Sequence, residues 1–139
     1  MIRIMLCCGG GFSSSAIATR MQKELVTSGR DKDYYFEFFP FGEGYRHIKQ
    51  KTNDFDIAIL CPHLKMYYDQ IQKNNEDFDI PVYILPPKIY GRMILDEILL
   101  DVEDVIEMYK KNPVNPVVFP GEEKLLLIKR GVAYRNYHK

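Results

Sequence analysis

The chain has 139 residues, of which 19 are Lys or Arg and 19 are Asp or Glu, so its formal net charge is zero. This length favours one compact domain, and the balanced charge argues against a nucleic-acid-binding surface. No apolar run is long enough to cross a bilayer, and the first residues lack the pattern of a secretory signal peptide. Three cysteines, two of them adjacent, make no disulfide framework and suit a reducing cytoplasm.

The predicted elements alternate between strands and helices. Short apolar or aromatic runs predict strands at Ile2–Cys7, Tyr34–Phe39, Ile57–Cys61 and Val82–Leu85. Apolar residues three or four positions apart predict helices at about Ser13–Ser28, within Gly42–Thr52, at Leu64–Lys73 and at about Gly91–Lys111. This alternation predicts an α/β fold, a single three-layer domain with a four-stranded parallel sheet and helices on both faces.

Two of these helices carry patterns that predict a buried and a solvent side. Ile17, Met21 and Leu25 recur every four residues and define the buried stripe of the first helix, which Gly29 should end. On the last helix, Ile94, Ile98, Val102, Val105, Ile106 and Tyr109 are expected to face inward. Asp96, Asp101 and Asp104 are expected on its solvent side.

The last part of the chain differs from the alternating part. Asn112-Pro113 should break the last helix, and Pro116 and Pro120 should keep the chain extended. The remainder, with a basic end that includes Arg130, is compatible with a strand, a helix or a docking arm. We therefore expect a domain of residues 1–111 and a C-terminal extension of residues 112–139.

A glycine- and serine-rich segment follows the first predicted strand. Glycines let backbone N–H groups crowd around an anion, and serines suit the start of a helix, whose N-terminus attracts negative charge. A cysteine at the mouth of such a loop should have a lowered pKa and be a better nucleophile. The pattern predicts Cys8 as a phosphoryl acceptor, with a phosphate-binding loop of Gly9, Gly10, Gly11, Phe12, Ser13, Ser14 and Ser15.

The spacing argues against other phosphate-binding loops. There is no lysine for a Walker loop and no third glycine for a dinucleotide fingerprint. A cysteine phosphatase would carry an arginine where Ser14 stands, and Arg20 lies too far along the helix to replace it. The loop therefore favours a phosphoryl carrier. A shift of register by one would make Cys7 the nucleophile, but Cys7 and Cys61 fit better as packing residues.

The loop resembles the phosphocysteine loop of the IIB components of the lactose/cellobiose branch of the bacterial sugar phosphotransferase system. In that family a cysteine and a few small residues precede an apolar residue and a hydroxyl triplet, matched here by Phe12 and Ser13–Ser15. The resemblance continues through Asp56–His63, Ile80–Leu85 and the Tyr90–Leu99 region. Cys61 and His63 depart from the glycine and glutamine usual in the family, which affects docking rather than the phosphoryl site.

The resemblance implies strand order 2-1-3-4, a phosphatase-like phosphate loop after strand 1 and a cytoplasmic phosphoryl carrier. Cys8 would accept phosphate from the phosphohistidine of a IIA protein and pass it to a cellobiose-, lactose- or chitobiose-type sugar at the membrane-embedded IIC component. Pro62, His63 and Tyr90, near the ends of later strands, are candidates for partner docking. We expect no metal or cofactor, no nucleic acid, no direct membrane insertion and a monomer.

Two other functions remain open at this point. One is a small cysteine-dependent phosphatase or arsenate reductase-like enzyme, which shares the loop chemistry and is disfavoured by Ser14. The other is a non-catalytic regulatory domain of the same fold, which the intact Cys8 and its loop argue against.

Overall fold

The sheet has four parallel strands. A computed structural model describes residues 1–8, 12–40, 54–74, 79–122, 128 and 130–137 of the chain. The strands are β1 (Ile2–Cys8), β2 (Tyr34–Pro40), β3 (Ile57–Leu60) and β4 (Val82–Ile84). Their order is β2-β1-β3-β4, and each neighbouring pair is parallel. The predicted α/β architecture and the strand order are confirmed, with strand ends within one residue of expectation.

The helices follow the strands as predicted, with differences in detail. They are α1 (Phe12–Thr27), α2 (Tyr68–Lys73), α3 (Pro87–Arg92), α4 (Leu95–Lys111) and α5 (Tyr134–Tyr137), with a 3₁₀ helix at Pro62–Tyr67 before α2. The single helix predicted at Leu64–Lys73 is therefore a 3₁₀ turn that continues into a short α-helix. The helix predicted within Gly42–Thr52 lies outside the described residues.

Helix α1 confirms the prediction from its apolar spacing. Met21 and Leu25 are fully buried, Ile17 is half-buried, and the helix packs on β1 and β2. Gly29 follows the helix with a φ of 74°, a left-handed conformation that glycine adopts without steric cost. On the same helix Gln22 accepts a 2.9 Å hydrogen bond from the Phe36 N–H, so α1 also covers part of the β2 edge.

The core is divided between the two faces of the sheet. Along β1, Ile4 and Leu6 belong to the cluster that contains α1 and α4, whereas Met5 and Cys7 belong to a second cluster on the other face. Ile71 of α2 packs in that second cluster. This alternation is the period of two expected of a strand, and burial on both faces explains the apolar run Ile4–Cys7 of β1.

The prediction of one helix at about Gly91–Lys111 is wrong in one respect, because the structure has two helices in this region. Helix α3 ends at Arg92, and Met93 has a φ of 42°, in the left-handed region. The Met93 carbonyl accepts a 2.9 Å hydrogen bond from Arg20 of α1, and extended Ile94 then starts α4. Ile94 is 37% exposed, contrary to its expected inward position, whereas Ile98, Val102 and Val105 are buried as predicted. The contact with Arg20 and the buried Met93 side chain hold the chain in the break between α3 and α4.

The C-terminal segment packs against the core. Val117 and Phe119 are buried in the cluster that contains α1 and α4, and Tyr134 of α5 packs against the same cluster. The Phe119 and Tyr134 rings stack with their centroids 4.3 Å apart. A division between residues 1–111 and 112–139 stays a prediction, and the described part of the second segment shares its core with the first.

Candidate functional site

Three strands end at the same level on one edge of the sheet. Cys8, the last residue of β1, lies opposite Pro40 of β2, and Cys7 lies opposite Leu60 at the end of β3. The Cys61 N–H donates a 3.1 Å hydrogen bond to the Cys7 carbonyl, so the chain leaving β3 stays close to β1. In open parallel sheets, ligands bind beyond this carboxyl edge. The predicted phosphoryl acceptor therefore belongs to the edge where such ligands bind.

Helix α1 begins close to the end of β1. Only Gly9, Gly10 and Gly11, which lie outside the described residues, separate Cys8 from Phe12. Ser13, Ser14 and Ser15 follow Phe12 in the first turn, and their side chains and that of Cys8 are not described. The first turn of a helix has backbone N–H groups without partners in the helix and carries partial positive charge. A three-residue connection brings this charged end near Cys8, and the phosphate-binding set stays a prediction.

The other two cysteines are packing residues, as predicted. Cys7 is fully buried in the cluster that contains α2, and Cys61 is 1% exposed in the cluster that contains α1 and α4. Burial in apolar surroundings raises the pKa of a thiol and separates it from a phosphoryl donor. Cys8, rather than Cys7, as the reactive cysteine stays a prediction.

The candidate docking residues lie on helices that start at the carboxyl edge. Pro62 and His63 begin the 3₁₀ helix after β3, and Tyr90 lies on α3, which follows β4. Pro62 and Tyr90 are half-buried, and the side chain of His63 is not described. The same 3₁₀ helix carries Met66, which is 73% exposed and which sequence reasoning missed. The role of Pro62, His63 and Tyr90 in partner docking stays a prediction.

A buried cluster of charges lies away from Cys8 in sequence. We call Arg130, Tyr83, Asp101 and Glu122 the Arg130 cluster. The guanidinium of Arg130 donates to Glu122 (2.7 and 3.1 Å), to Asp101 (2.9 Å), to the Tyr83 hydroxyl (2.8 Å) and to the Val132 carbonyl (2.9 Å). These bonds use all the donors of the guanidinium. The cluster joins the C-terminal segment to β4 and α4.

The position of Asp101 corrects the prediction that it belongs to a solvated face. Asp101 is fully buried, accepts hydrogen bonds from Arg130 and Tyr83, and also accepts one from the Tyr134 N–H (2.8 Å). Asp96, by contrast, is exposed as predicted. The physical reason is that Arg130, which is far away in sequence, supplies the countercharge that makes burial of Asp101 tolerable.

Burial changes the pKa values of the titratable groups in the Arg130 cluster. Burial and the Asp101 charge raise the pKa of Tyr83 well above its ordinary value. Burial also raises the pKa of Asp101, against the opposing effect of Arg130. Burial alone would lower the pKa of Arg130, but the hydrogen bond to Glu122 and the charge of Asp101 raise it overall. Arg130 therefore stays charged, and the cluster holds two carboxyl groups around one cation.

No helix in the described ranges combines the length and apolar character needed to cross a bilayer. The carboxyl edge with Cys8 remains the place where the sequence motif and the fold coincide.

The chain is similar in sequence to EIIB components of PTS systems. The chain is 22% identical over 91 residues to the oligo-beta-mannoside-specific EIIB component of Bacillus subtilis, covering 66% of this chain and 82% of that protein. It is 23% identical over 115 residues to the galactose-specific EIIB component of Lactococcus lactis subsp. cremoris, covering 74% and 94%.

A solved lactose-specific IIB component domain from Streptococcus pneumoniae superposes with a TM-score of 0.48 at 17% identity, over 60% of this chain and 75% of that one. The family model for the lactose/cellobiose-specific IIB subunit of the PTS system matches residues 3–101 of this 139-residue chain. That match spans well over half of the chain, which therefore belongs to the lactose/cellobiose-specific IIB subunit family of the phosphotransferase system.

Proposed function

We propose that this IIB-family chain is a phosphoryl carrier whose acceptor is the Sγ atom of Cys8. The observation that carries the proposal is the placement of Cys8. It ends a central strand at the carboxyl edge of the sheet, and three residues separate it from a helix of 16 residues. The glycine and serine content of the connection supports the same role, because it suits a ring of backbone donors around a phosphoryl group.

The proposed reaction has two displacement steps. In the first, the Cys8 thiolate attacks the phosphorus of a phosphohistidine on a IIA protein. The S–P bond forms while the N–P bond breaks, and the electron pair stays on the imidazole nitrogen, which takes up a proton. In the second, a sugar hydroxyl oxygen attacks phosphorus at the IIC component. The S–P bond breaks, the thiolate is restored and the hydroxyl proton is released.

Catalysis in this scheme rests on positioning and on backbone donors. N–H groups from Gly9 to Ser15 would hold the three equatorial oxygens of the transferring group in both steps. Removing one such aimed donor costs about 3 kcal/mol of transition-state stabilisation in other enzymes. With Ser14 where a phosphatase has arginine, the loop would hold the group and hydrolyse it slowly. We accordingly propose transfer to a partner rather than to water.

Partners, sugar and compartment belong to the same proposal. The names of the relatives include three different sugars, oligo-beta-mannoside, galactose and cellobiose. In the proposed scheme, sugar specificity would reside in the IIC component, because that component contacts the sugar. The carrier would act in the cytoplasm, where IIA and IIC can be met in turn. A monomer suits this alternation, with docking at the carboxyl edge around Pro62, His63 and Tyr90.

Mass spectrometry of the intact protein tests the proposal. The chain is incubated with phosphoenolpyruvate, the general phosphotransfer proteins and a cognate IIA. We expect an added mass of one phosphoryl group, present in Cys7→Ser and absent in Cys8→Ser. An adduct that survives in Cys8→Ser and disappears in Cys7→Ser would assign the acceptor to the neighbouring cysteine. Rapid turnover of p-nitrophenyl phosphate by the native chain would favour a phosphatase instead.

A further inference from the structure

The C-terminal segment covers the edge of the sheet at β4. Because β4 is the last strand in the order, one side of its backbone has no neighbouring strand among the described residues. The side-chain amide of Asn115 takes up this side: its Oδ1 accepts from the Val82 N–H (2.7 Å) and its Nδ2 donates to the Ile80 carbonyl (2.9 Å). The Val117 N–H then donates to the Val82 carbonyl (2.8 Å). These residues make the hydrogen bonds that a further strand would make.

The Arg130 cluster fastens this covering segment at its other end. Arg130 reaches Tyr83 on β4 and Asp101 on α4, and it lies over the stacked rings of Phe119 and Tyr134, 5.2 and 5.6 Å from their centroids. The arginine itself is 1% exposed. One side chain therefore ties the segment to the strand whose edge it covers and to the neighbouring helix.

We propose that the described parts of the C-terminal segment, residues 113–122, 128 and 130–137, form a strap that closes the β4 edge against strand addition by a second copy of this chain, with Arg130 as its fastening. The family match ends at residue 101, so the strap lies outside the part shared with the family model. The strap opens as a unit, separately from the four-stranded sheet.

A second copy is the occupant that an open edge would attract. An unpaired edge strand is a template for pairing with another chain. Lifting the strap would uncover apolar surface beside that edge, because Val117 and Phe119 are 6% and 2% exposed in the closed state. The chain has a formal net charge of zero, so little repulsion would keep two copies apart. Two β4 edges related by a two-fold axis would satisfy each other.

Hydrogen exchange on the full chain separates the strap from the sheet. The Val82 N–H bonds to the strap, whereas the Leu85 N–H donates to the Leu60 carbonyl of β3 (2.9 Å) and serves as an internal reference. Arg130→Met leaves two buried carboxyl groups without their cation, and we expect exchange at Val82 to rise about 100-fold or more. In the native chain, exchange at Val82 should be faster than at Leu85 and should depend less on urea, because opening the strap exposes less surface than unfolding the sheet. Arg135→Met, which removes an exposed arginine from the same strap, should leave both amides near their native rates.

Sedimentation velocity tests the role of the strap in blocking self-association. We expect Arg130→Met to form a dimer as concentration rises, with protection at Val82 returning in the dimer, while the native chain and Arg135→Met stay monomeric. A variant that stays monomeric with Val82 exposed would overturn the edge-closing role. Equal opening free energies and equal urea dependence of exchange at Val82 and Leu85 in the native chain would show that the segment does not open separately from the sheet.

A milder substitution keeps the test decisive if Arg130→Met does not fold. Asn115→Ala removes the two side-chain bonds to the β4 edge and leaves the Arg130 cluster in place. We expect exchange at Val82 to rise about tenfold relative to the native chain, the effect of losing an ordinary hydrogen bond. Unchanged exchange at Val82 in this variant would overturn the proposal.

Discussion

The carboxyl edge of the sheet and the C-terminal strap are held by different kinds of interaction. At the edge, the described contacts are between backbone groups of neighbouring strands, such as Cys61 N–H to Cys7 carbonyl and Leu85 N–H to Leu60 carbonyl. In the strap, side chains dominate, and Arg130 alone makes five hydrogen bonds. A backbone ladder tolerates many substitutions, whereas a buried side-chain cluster depends on each member. The strap should therefore be the region more sensitive to single changes in stability.

The largest expected effect on stability separates a buried from an exposed arginine in the same strap. Arg130→Met removes the cation between Asp101 and Glu122, and we expect the free energy of unfolding at neutral pH to fall by about 3–5 kcal/mol. Arg135 pairs with Asp104 through atoms 2.6 Å apart, but its side chain is 44% exposed. Arg135→Met should therefore cost about 0–1 kcal/mol. Urea unfolding of both variants gives the two values.

The same pair of variants also tests whether the strap serves the phosphoryl site. Neither arginine belongs to the proposed transfer machinery, so both folded variants should still gain one phosphoryl group on Cys8. Equal losses of stability in the two variants would mean that the burial of Arg130 does not make it contribute more to stability than the exposed Arg135. Loss of the phosphoryl adduct in folded Arg130→Met would mean that the edge and the strap are coupled.

The sequence was informative where structure depends on neighbours along the chain. The spacing of Met21 and Leu25 and the position of Gly29 were enough to predict α1, because a helix is built from contacts three and four residues apart. The apolar run of β1 predicted a buried strand for the same local reason. The chemistry proposed for Cys8 likewise comes from consecutive residues, and its loop lies largely outside the described part of the chain.

The Arg130 cluster could not be found in this way. Tyr83, Asp101, Glu122 and Arg130 come from one strand, one helix and two parts of the strap, so no local pattern connects them. Asp101 has the spacing of a solvated helix face, and only its distant partner reverses that expectation. The break at Met93 was not predicted for a similar reason. Methionine rarely adopts a positive φ, and the Arg20 contact that accompanies the break joins two helices.

Alanine substitutions at two glycines, one in the strap and one near the carboxyl edge, should change the unfolding free energy by smaller amounts and in opposite directions. Gly121, in the strap, has a φ of 86° and open space around it, so Gly121→Ala should lower the unfolding free energy by about 1 kcal/mol through backbone strain alone. Gly91, in α3 near the carboxyl edge, also has open space and no positive φ. Gly91→Ala should raise stability by about 0.5–1 kcal/mol, because alanine favours a helix. Urea midpoints that move in the same direction would contradict this contrast.

The last effect, which appears only at high pH, concerns a second, more exposed connection between the strap and the sheet. Glu103 of α4 accepts a hydrogen bond from the hydroxyl of Tyr34, the first residue of β2, and lies 3.7 Å from Arg135 of the strap. Burial, and then Glu103, raise the pKa of Tyr34 to about 12. A group with a raised pKa stabilises the fold below its unfolded pKa, which is near 10 for tyrosine. This contribution is lost as the pH rises through the folded pKa.

The native chain should therefore lose stability between pH 10 and 12 partly because the folded state retains the proton on Tyr34 that the unfolded state releases. Tyr34→Phe removes this difference. The fall in unfolding free energy from pH 9 to 11, measured in urea, should be roughly 1 kcal/mol smaller in the variant than in the native chain. The buried Tyr83 also has a raised pKa and is unchanged, so part of the fall should remain in Tyr34→Phe. An identical fall in both proteins would show that folding does not raise the pKa of Tyr34, and therefore that its burial and its contact with Glu103 are not maintained in solution. The strap would then depend on the Arg130 cluster and the β4 edge without this outer connection.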